Sequence, residues 1–484
     1  MSRTSTNLIT SCGAITLLWL AGCTVGPNYK RPQTQSPPAY KETAPGWQVA
    51  QPNDAMQRGK WWEIYNDPTL NALEEHVTVS NETLKGDAAR YDAARAAVRL
   101  ARSQYFPTVS VAPQATTARQ STNRPLARNA GALQPITNYN DILLPLDASW
   151  EPDLWGRVRR TVRQSAETAQ ASAADLENAS LSLHAELAMD YFQLRSLDKQ
   201  KQLLDENAAA FQKTVELTEN RFHGGLASDQ DVQLARTQLA TTVAEGIDVG
   251  VARAQFEHAI AVLTGQQPEQ VALALSPLEA LPPAIPLGLP GELLERRPDI
   301  AAAERRMAAA NEQIGIARAA YFPNLLISAT GGVESGGLGN LFSGSSGLFA
   351  VGGTLTQTLF DGGARRAATE QARANYDATV ADYRQDILTA FQQVEDNLAA
   401  LRILEQEQTA EQVAVTASQR SVELSLNRYK GGVAAYIEVL TAQSNSLTSQ
   451  RTATDIQGRR MTASVELIKA LGGGWNSSKL PNPY

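Results

Sequence analysis

Residues 142–160, ILLPLDASWEPDLWGRVRR, join two patterns of different period. Up to Leu154 the even-numbered positions are apolar, whereas the acidic residues fall on odd-numbered positions. This period of two predicts a strand with one apolar and one polar face. After the Trp155-Gly156 corner no Pro or Gly occurs before Gly224. That absence predicts a helix of about 65 residues, roughly 98 Å long.

The predicted helix carries an apolar stripe whose members recur at steps of mostly seven, four and three residues, as in a coiled coil. The stripe consists of Leu176, Leu183, Leu187, Leu194, Leu197, Leu204, Phe211, Val215 and Phe222. We interpret it as packing, so only the polar opposite face could line a pore. Gly224-Gly225 predicts a turn into a second helix that ends near Gly265, and hence a helical hairpin over 157–264.

Three landmarks of the chain occur twice, in the same order and about 205 to 216 residues apart. RSQYFP returns as RAAYFP, the Leu154-Trp155-Gly156 corner returns as LFDGG, and RFHGG returns as RYKGG. The chain is therefore predicted to contain two structural repeats. The predicted bounds are 61–276 for the first repeat, 277–298 for a Pro-rich linker, 299–471 for the second repeat with its hairpin over 364–471, and 472–484 for a tail.

Each repeat is predicted to contain a helix and two strands ahead of its hairpin. The strands are expected at about 108–118 and 141–154, and at about 324–334 and 348–360. The alternation fits a soluble sandwich equally well, but each strand is near the ~10 residues that a tilted membrane strand needs. Four strands cannot close a barrel. A membrane barrel would need several chains, because an open edge in hydrocarbon leaves backbone groups unpaired.

The N-terminal residues have the pattern of an export signal. Arg3 precedes a short apolar stretch that ends in Leu20-Ala-Gly-Cys23. We expect 1–22 to be a lipoprotein signal peptide, Cys23 to carry a diacylglycerol and an N-acyl chain, and 23–60 to be an extended tether. The alternative is an ordinary signal peptide that contains a cysteine. Thr24 stands where an aspartate would favour the inner membrane, so we expect the outer membrane.

Composition excludes several classes of protein. Without the leader the chain has 42 basic and 50 acidic residues, which argues against a nucleic-acid surface. One remaining cysteine allows no disulfide framework. The four histidines are scattered without ligand spacing, and no serine lies in a nucleophile elbow, so we expect no enzyme and no metal site. After the leader no apolar run is long enough for a spanning helix.

Two motif regions resemble one known family. Cys23-Thr-Val-Gly-Pro27 with the Trp61-Trp62 segment, and Arg296-Arg297-Pro-Asp-Ile with Glu304-Arg-Arg306, are similar to outer-membrane factors of the TolC/OprM family, NodT-type efflux lipoproteins. The resemblance spans nearly the whole mature chain. It implies a homotrimer in which twelve strands form one barrel and the helices form a periplasmic coiled-coil tunnel.

The same resemblance implies partners and a function. The partners are a periplasmic adaptor, an inner-membrane pump of the RND type, and outer-membrane lipids. The function is passive conduction of drugs or other small toxic compounds to the exterior. Two alternatives stay open: a duct for type I protein secretion, and a structural coiled-coil lipoprotein that forms no channel. The structural coiled-coil lipoprotein does not explain the four predicted strands.

The resemblance also implies a constriction at the second hairpin turn, where 428–442 matches the family motif. Tyr429 falls on the tyrosine of a closing hydrogen-bond network, Ile437 on an apolar ring, and Glu438 and Thr441 on two acidic ring positions. Thr441 departs from that pattern, and a single acidic ring would weaken cation binding. The alternative is that Glu438 is only a solvated helix residue.

The paired turns are the expected docking points for the adaptor. The glycines involved are Gly224, Gly225, Gly431 and Gly432. Ala434 stands where some relatives carry a latch arginine, so we expect the closing contacts to differ in detail.

Overall fold

The computed structural model describes residues 24–33, 37–42, 59–119, 138–285 and 293–481. Seven long helices and five strand segments follow one another along these ranges. In chain order they are α1 Pro68–Ser80, α2 Glu82–Ser103, β1 Thr108–Val111, β2 Gln114–Arg119, β3 Asn138–Trp150, α3 Arg157–His223, α4 Asp229–Leu263, α5 Pro298–Ala319, β4 Asn324–Ser335, β5 Gly347–Thr356, α6 Ala364–Lys430 and α7 Tyr436–Ala470. A single helical turn, Leu293–Arg296, precedes α5.

The strands form one antiparallel sheet in the order β1, β3, β4, β5, with β2 also paired to β3. The first predicted strand is thus two segments, because it is interrupted at Pro113, which has no N–H to donate to a ladder. Of the other three predicted strands, 324–334 agrees with β4 to one residue, whereas 141–154 and 348–360 end too late. β3 stops at Trp150, two residues before Pro152, and β5 stops at Thr356, opposite the first residue of β4.

The sheet has one apolar face. Residues paired directly across antiparallel strands lie on the same face, and the register brings fifteen apolar side chains together. They are Val109, Val111, Ala115, Ile142, Leu144, Leu146, Ala148, Trp150, Leu325, Ile327, Ala329, Val333, Phe349, Val351 and Leu355. The other face carries polar pairs, of which Thr330 donates a hydrogen bond of 2.6 Å to Asp147.

The helices α3 and α6 are each 67 residues long, as the absence of Pro and Gly predicted. At 1.5 Å per residue each extends about 100 Å. Each begins after a glycine with positive φ, Gly156 at 82° and Gly363 at 93°. A residue with a side chain would be strained at such a φ. Glycine therefore suits the sharp change of direction from sheet to helix. Helix α3 packs against α4, and α6 packs against α7, so each pair forms a helical hairpin.

Beyond the sheet, the helices pack side by side at two levels. Near the sheet, α3 packs on α2 and α5, and α5 packs on α6; further away, α3 packs on α4 and α7, and α7 packs on α6. The largest core cluster lies where α1 covers α3 and α7, and includes Leu70, Leu187, Leu194 and Val465. The coiled-coil stripe is buried at Leu187, Leu194, Leu204, Phe211 and Val215, whereas Phe222 at its end is exposed.

The segment 24–33 is firmly docked at the junction of sheet and helices. The N–H of Val25 donates to the carbonyl oxygen of Trp155 at 3.1 Å, and its carbonyl oxygen accepts from Nε of Arg160 at 2.7 Å. Arg160 is fully buried and also pairs with Glu312 at 2.8 Å. Residues 24–33 of the predicted tether are therefore docked on the protomer. Long-range contacts that leave no local sequence pattern hold them in place.

Among the described residues, no helix is both long enough and apolar enough to span a membrane.

Candidate constriction and docking surface

The two hairpin turns close with the same hydrogen bonds. The N–H of Leu226 donates to the Arg221 carbonyl oxygen at 2.7 Å, and the N–H of Val433 donates to the Arg428 carbonyl oxygen at 3.0 Å. In each turn the second glycine takes a left-handed φ, 73° at Gly225 and 71° at Gly432. This is the Schellman motif that ends many helices. The left-handed φ gives Gly225 and Gly432 a structural reason to be glycine, whereas Gly224 at −80° and Gly431 at −75° have values of φ that any residue adopts.

Each turn presents an apolar side chain to solvent immediately after its glycines. Leu226 and Val433 are both 70% exposed. A Cβ placed on Gly225 would meet no atom within 4 Å, so the outer side of the first turn is open. Arg221 joins the two turns, since its Nη1 donates to the carbonyl oxygen of Lys430 at 3.1 Å. One end of the protomer thus displays two small apolar knobs on a linked pair of turns.

Tyr429 is the buried centre of this end. Its ring is 3% exposed, packs edge-on against Tyr436 with centroids 5.6 Å apart, and lies 4.7 Å from the guanidinium carbon of Arg221. Its hydroxyl group has no hydrogen-bond partner among the described residues, and neither has Nε of Arg221. The closing hydrogen-bond network expected at Tyr429 is thus not formed within one protomer. An aromatic and cation–π contact holds the tyrosine instead.

Glu438 forms an ion pair within the protomer and is not only solvated. Its Oε2 lies 3.1 Å from Nη1 of Arg428, and the two side chains are 44% and 58% exposed. Glu438 also lies in the first turn of α7, where the helix dipole favours a negative charge. The roles of Arg221 and Arg428 were not predicted. Their equivalent places in the RFHGG and RYKGG landmarks were the signal that could have revealed them.

Ile437, Glu438 and Thr441 are exposed on α7, and Thr441 lies next to each of the other two because residues three and four apart are neighbours on a helix. Ile437 is 53% exposed. The Thr441 hydroxyl donates to the Ile437 carbonyl oxygen at 2.8 Å, so it adds no charge and is satisfied by its own helix. One chain contributes one copy of each side chain, and a ring at this level requires further copies of the chain.

The described residues contain no cluster of His, Cys, Asp or Glu suited to a metal ion. The buried His184 and Glu74 are hydrogen-bonded at 2.6 Å, but they lie among the core helices α1 and α3. Burial lowers the pKa of His184 to about 4 and raises the pKa of Glu74 well above its ordinary value. Both shifts favour a pair without net charge, which we interpret as part of the packing between α1 and α3.

Comparison with known proteins settles the family. The family described as "Outer membrane efflux protein" matches this chain over residues 75–266 and 289–473, which correspond to the two repeats. The chain belongs to this family. It is 32% identical over 471 residues to the probable efflux pump outer membrane protein TtgC of Pseudomonas putida, covering 96% of this chain and 95% of TtgC. It is 31% identical over 464 residues to the outer membrane protein OprJ of Pseudomonas aeruginosa, covering 96% and 95%.

Solved structures agree. The outer-membrane channel OprN superposes with a TM-score of 0.86 at 31% identity, covering 94% of this chain and 100% of OprN. The open state of the Neisseria gonorrhoeae MtrE channel gives 0.80 at 27% identity, covering 94% and 99%. The fold is therefore TolC-like, as the resemblance implied. The chain is an outer-membrane channel of an efflux system, in a family of channels and not of enzymes.

Proposed function

We propose that three copies of this chain form one passive duct. The duct would carry small toxic compounds from an inner-membrane RND pump and its periplasmic adaptor to the exterior. The observation that carries the proposal is the sheet register, which gathers apolar side chains on one face and most of the polar side chains on the other. A sheet of this kind suits lipid on its outside and water on its inside.

The edges of the sheet support closure by several copies. Within the described chain, β5 pairs only with β4, and β1 and β2 pair only with β3. Because neighbouring strands alternate in direction, the two free edges run in opposite directions and can pair between copies as antiparallel strands. Counting β1 with β2 as one position, each copy adds four strands, and three copies give twelve. Closure leaves no unpaired edge in the hydrocarbon.

The names of relatives suggest the class of compound. Relatives 31–32% identical over almost the whole chain are named toluene, solvent and antibiotic efflux proteins. We propose small apolar and amphipathic toxic compounds as the cargo. The channel itself performs no chemistry and needs no cofactor, since the pump supplies the energy.

The adaptor would dock on the exposed turns. The knobs Leu226 and Val433 and the open glycine backbones beside them suit the apolar tips of a helical partner. Opening would require the adaptor to shift the α6–α7 end, where Ile437, Glu438 and Thr441 from each copy would narrow the duct. A ligand or partner shifts such an equilibrium only by binding the open form more tightly.

A lipid anchor on Cys23 completes the proposal. Cys23 lies outside the described residues. Its neighbour Thr24 packs against Gly156, where the sheet meets α3. An acyl group one residue earlier in the chain would reach the membrane beside the proposed barrel. Mass spectrometry of the N-terminal peptide tests this: an unmodified Cys23 would contradict it.

The efflux role is tested by deleting the gene and measuring growth with toluene and with antibiotics. We expect increased sensitivity that the wild-type gene reverses. Unchanged sensitivity, together with a loss of a secreted protein, would overturn the efflux role in favour of protein secretion.

A further inference from the structure

A cleft of about 520 Å³ lies between α1 and α3 and is closed at its ends by residues 59–62 and 472–479. We call it the α1–α3 cleft. Helix α1 lines it with Thr78 and Val79, and α3 lines it with Glu177, Leu181 and His184. Residues three and four apart share one face of a helix, so the α3 side chains follow one another along the cleft. Its volume is in the ordinary range for sites that bind small molecules.

Two tryptophans in the wall of the α1–α3 cleft carry a polar group without a partner. Trp62 and Trp475 both line the cleft, and they are only 5% and 6% exposed. Among the described residues, neither indole Nε1 has a hydrogen-bond acceptor. A buried N–H group without an acceptor destabilises the protein. Both groups therefore favour a ligand that brings an acceptor atom to them.

His184 supplies a third donor to the same wall. Its ring stacks on that of Trp62 with centroids 4.5 Å apart, and its Nδ1 lies 2.6 Å from Oε2 of Glu74. Because burial raises the pKa of Glu74, we assign the shared proton to the carboxyl group, which leaves the neutral imidazole with its N–H at Nε2. Its acceptor within the described chain is the Thr78 hydroxyl, at a long 3.4 Å. This N–H thus also has capacity for a ligand.

The rim of the α1–α3 cleft carries two acidic and two basic residues. Lys60 and Glu75 form an ion pair with each other. Burial raises the pKa of Glu177, and the charge of Lys479 opposes that rise without a hydrogen bond. The four formal charges cancel, so the cleft favours neither a simple anion nor a simple cation. Glu177 remains able to pair closely with a positive group of a ligand.

The middle of the α1–α3 cleft is apolar. Leu181 lies on α3 between Glu177 and His184, and Val79 on the facing helix is 73% exposed. A Cβ on Gly473 would lie 2.3 Å from Cδ1 of Leu181. Glycine at that position lets the C-terminal segment approach the apolar wall closely. The cleft thus has N–H donors, an apolar middle and a carboxylate at its rim.

The α1–α3 cleft is far from the sheet. Glu177 and His184 lie 20 and 27 residues beyond Arg157, the first residue of α3. At 1.5 Å per residue these positions are roughly 30 and 41 Å along the helix. In the proposed duct, whose sheet lies in the membrane, the cleft is therefore in the periplasm. Its ligand is then a water-soluble molecule and not a membrane lipid.

We propose that the α1–α3 cleft binds a short peptide that has a free ammonium group, a free carboxylate and an apolar side chain. The carboxylate accepts hydrogen bonds from Trp62, His184 and Trp475. The ammonium group pairs with Glu177, and the apolar side chain packs on Val79. One copy of the chain supplies every one of these groups, so the site does not depend on how many copies form the duct.

Isothermal titration calorimetry of the detergent-purified full chain tests the site. The probes are the dipeptide Leu-Ala, N-acetyl-Leu-Ala, which has no ammonium group, and Leu-Ala amide, which has no carboxylate. We expect saturable binding of Leu-Ala and about tenfold weaker binding of each blocked form, because each loses one charge-assisted contact. No saturable binding of Leu-Ala, or equal binding of all three probes, would overturn the proposal.

Two variants test the assigned contacts. Glu177→Gln keeps the size of the side chain and should weaken Leu-Ala binding about tenfold without changing the binding of N-acetyl-Leu-Ala. Trp475→Phe keeps a ring but removes the N–H, and it should weaken Leu-Ala binding more than Leu-Ala amide binding. Glu186→Gln is the matched control for charge, since Glu186 is exposed on α3 outside the cleft. An equal loss of all probes in Glu177→Gln would be a structural effect and would overturn the ammonium contact.

This peptide chemistry has two sources in the periplasm, namely free peptides and the peptide stems of the cell wall. The second arm sediments the protein with purified cell-wall sacculi. Sedimentation that Leu-Ala reverses and Glu177→Gln abolishes would assign the cell-wall stems. Leu-Ala binding without sedimentation would assign free peptides. A failed calorimetric test removes the site even if the protein conducts ions, whereas a protein that binds Leu-Ala without conducting ions would keep the site and lose the duct.

Discussion

The two repeats enter their long helices by the same backbone route, but only the first entry is covered. Gly156 and Gly363 both have left-handed φ and both immediately precede a 67-residue helix. A Cβ on Gly156 would lie 2.8 Å from Cγ2 of Thr24, whereas a Cβ on Gly363 would meet nothing within 4 Å. The docked segment 24–33 therefore covers the first entry and not the second, although it also contacts the second repeat further along, where Tyr29 donates a hydrogen bond to Glu304 at 2.8 Å and Arg31 donates one to Tyr383 at 3.1 Å.

The hairpin turns, at the opposite end of the long helices, also differ between the two repeats. Helix α4, the second helix of the first hairpin, begins with a capping box. The side chain of Ser228 accepts a hydrogen bond from the N–H of Asp231, and the side chain of Asp231 accepts one from the N–H of Ser228. Its counterpart α7 has Ala435 as its N-cap residue, and alanine has no side-chain group that could cap the helix. The second end is held by Arg221 from the first repeat and by the exposed pair of Arg428 and Glu438. Because α7 has no side-chain cap, the second hairpin end is the easier one to displace.

The largest expected effect separates the two entry glycines. Alanine at either position adopts a left-handed φ at a cost of about 1–2 kcal/mol. Gly156→Ala also drives a methyl group into Thr24, and overpacking of this kind costs about 1–3 kcal/mol more. We expect Gly156→Ala to lower the thermal unfolding midpoint of the purified protein clearly further than Gly363→Ala. Equal shifts would contradict the bracing of the first entry by Thr24.

The next largest effect concerns Arg221. Arg221→Ala removes the cation–π contact with Tyr429 and the hydrogen bond to Lys430, together about 2 kcal/mol. We expect the open fraction of single channels to rise about 30-fold, because the second end loses its contact with the first. Arg236→Ala is the matched control, since Arg236 pairs with Glu219 inside the first hairpin. A similar rise in the control would remove Arg221 from the closing contacts.

A smaller effect comes from the caps. Ala435→Ser places a hydroxyl three residues before Glu438, the spacing of a capping box, and we expect it to stabilise the second end by about 1 kcal/mol. Ser228→Ala should weaken the first end by a similar amount. Single-channel recordings should therefore show fewer openings with Ala435→Ser. More frequent openings would contradict the view that an uncapped α7 favours displacement.

The smallest effect on stability is expected at Glu438. An exposed ion pair contributes about 0–1 kcal/mol, so Glu438→Ala should hardly change the unfolding midpoint. It should, however, weaken blockade by divalent cations, since it removes the acidic side chain from each copy's α7 face. Unaltered blockade in single-channel recordings would exclude Glu438 from the constriction.

Much of the fold could be predicted because it depends on local pattern. The absence of Pro and Gly between Gly156 and Gly224 was enough to place α3, and the paired landmarks were enough to place its counterpart α6. Alternation located the strands but not their ends. Those ends depend on Pro113 and Pro152, which lack an N–H, and on where the partner strand begins.

The contacts that hold the two ends could not be predicted in the same way. Arg160 binds Val25, which is 135 residues away in the chain, and Arg221 binds Lys430, which is 209 residues away. Periodicity reports only which face of an element is apolar, and a buried arginine leaves no trace in it. The family resemblance drew attention to Tyr429 and Glu438, but it did not identify their partners within the chain.

The trimeric duct is tested by the planar-bilayer conductance of the detergent-purified protein, with the oligomeric mass determined on the same sample. We expect small, discrete current steps from a species of three chains. A water-soluble monomer without conductance would contradict it.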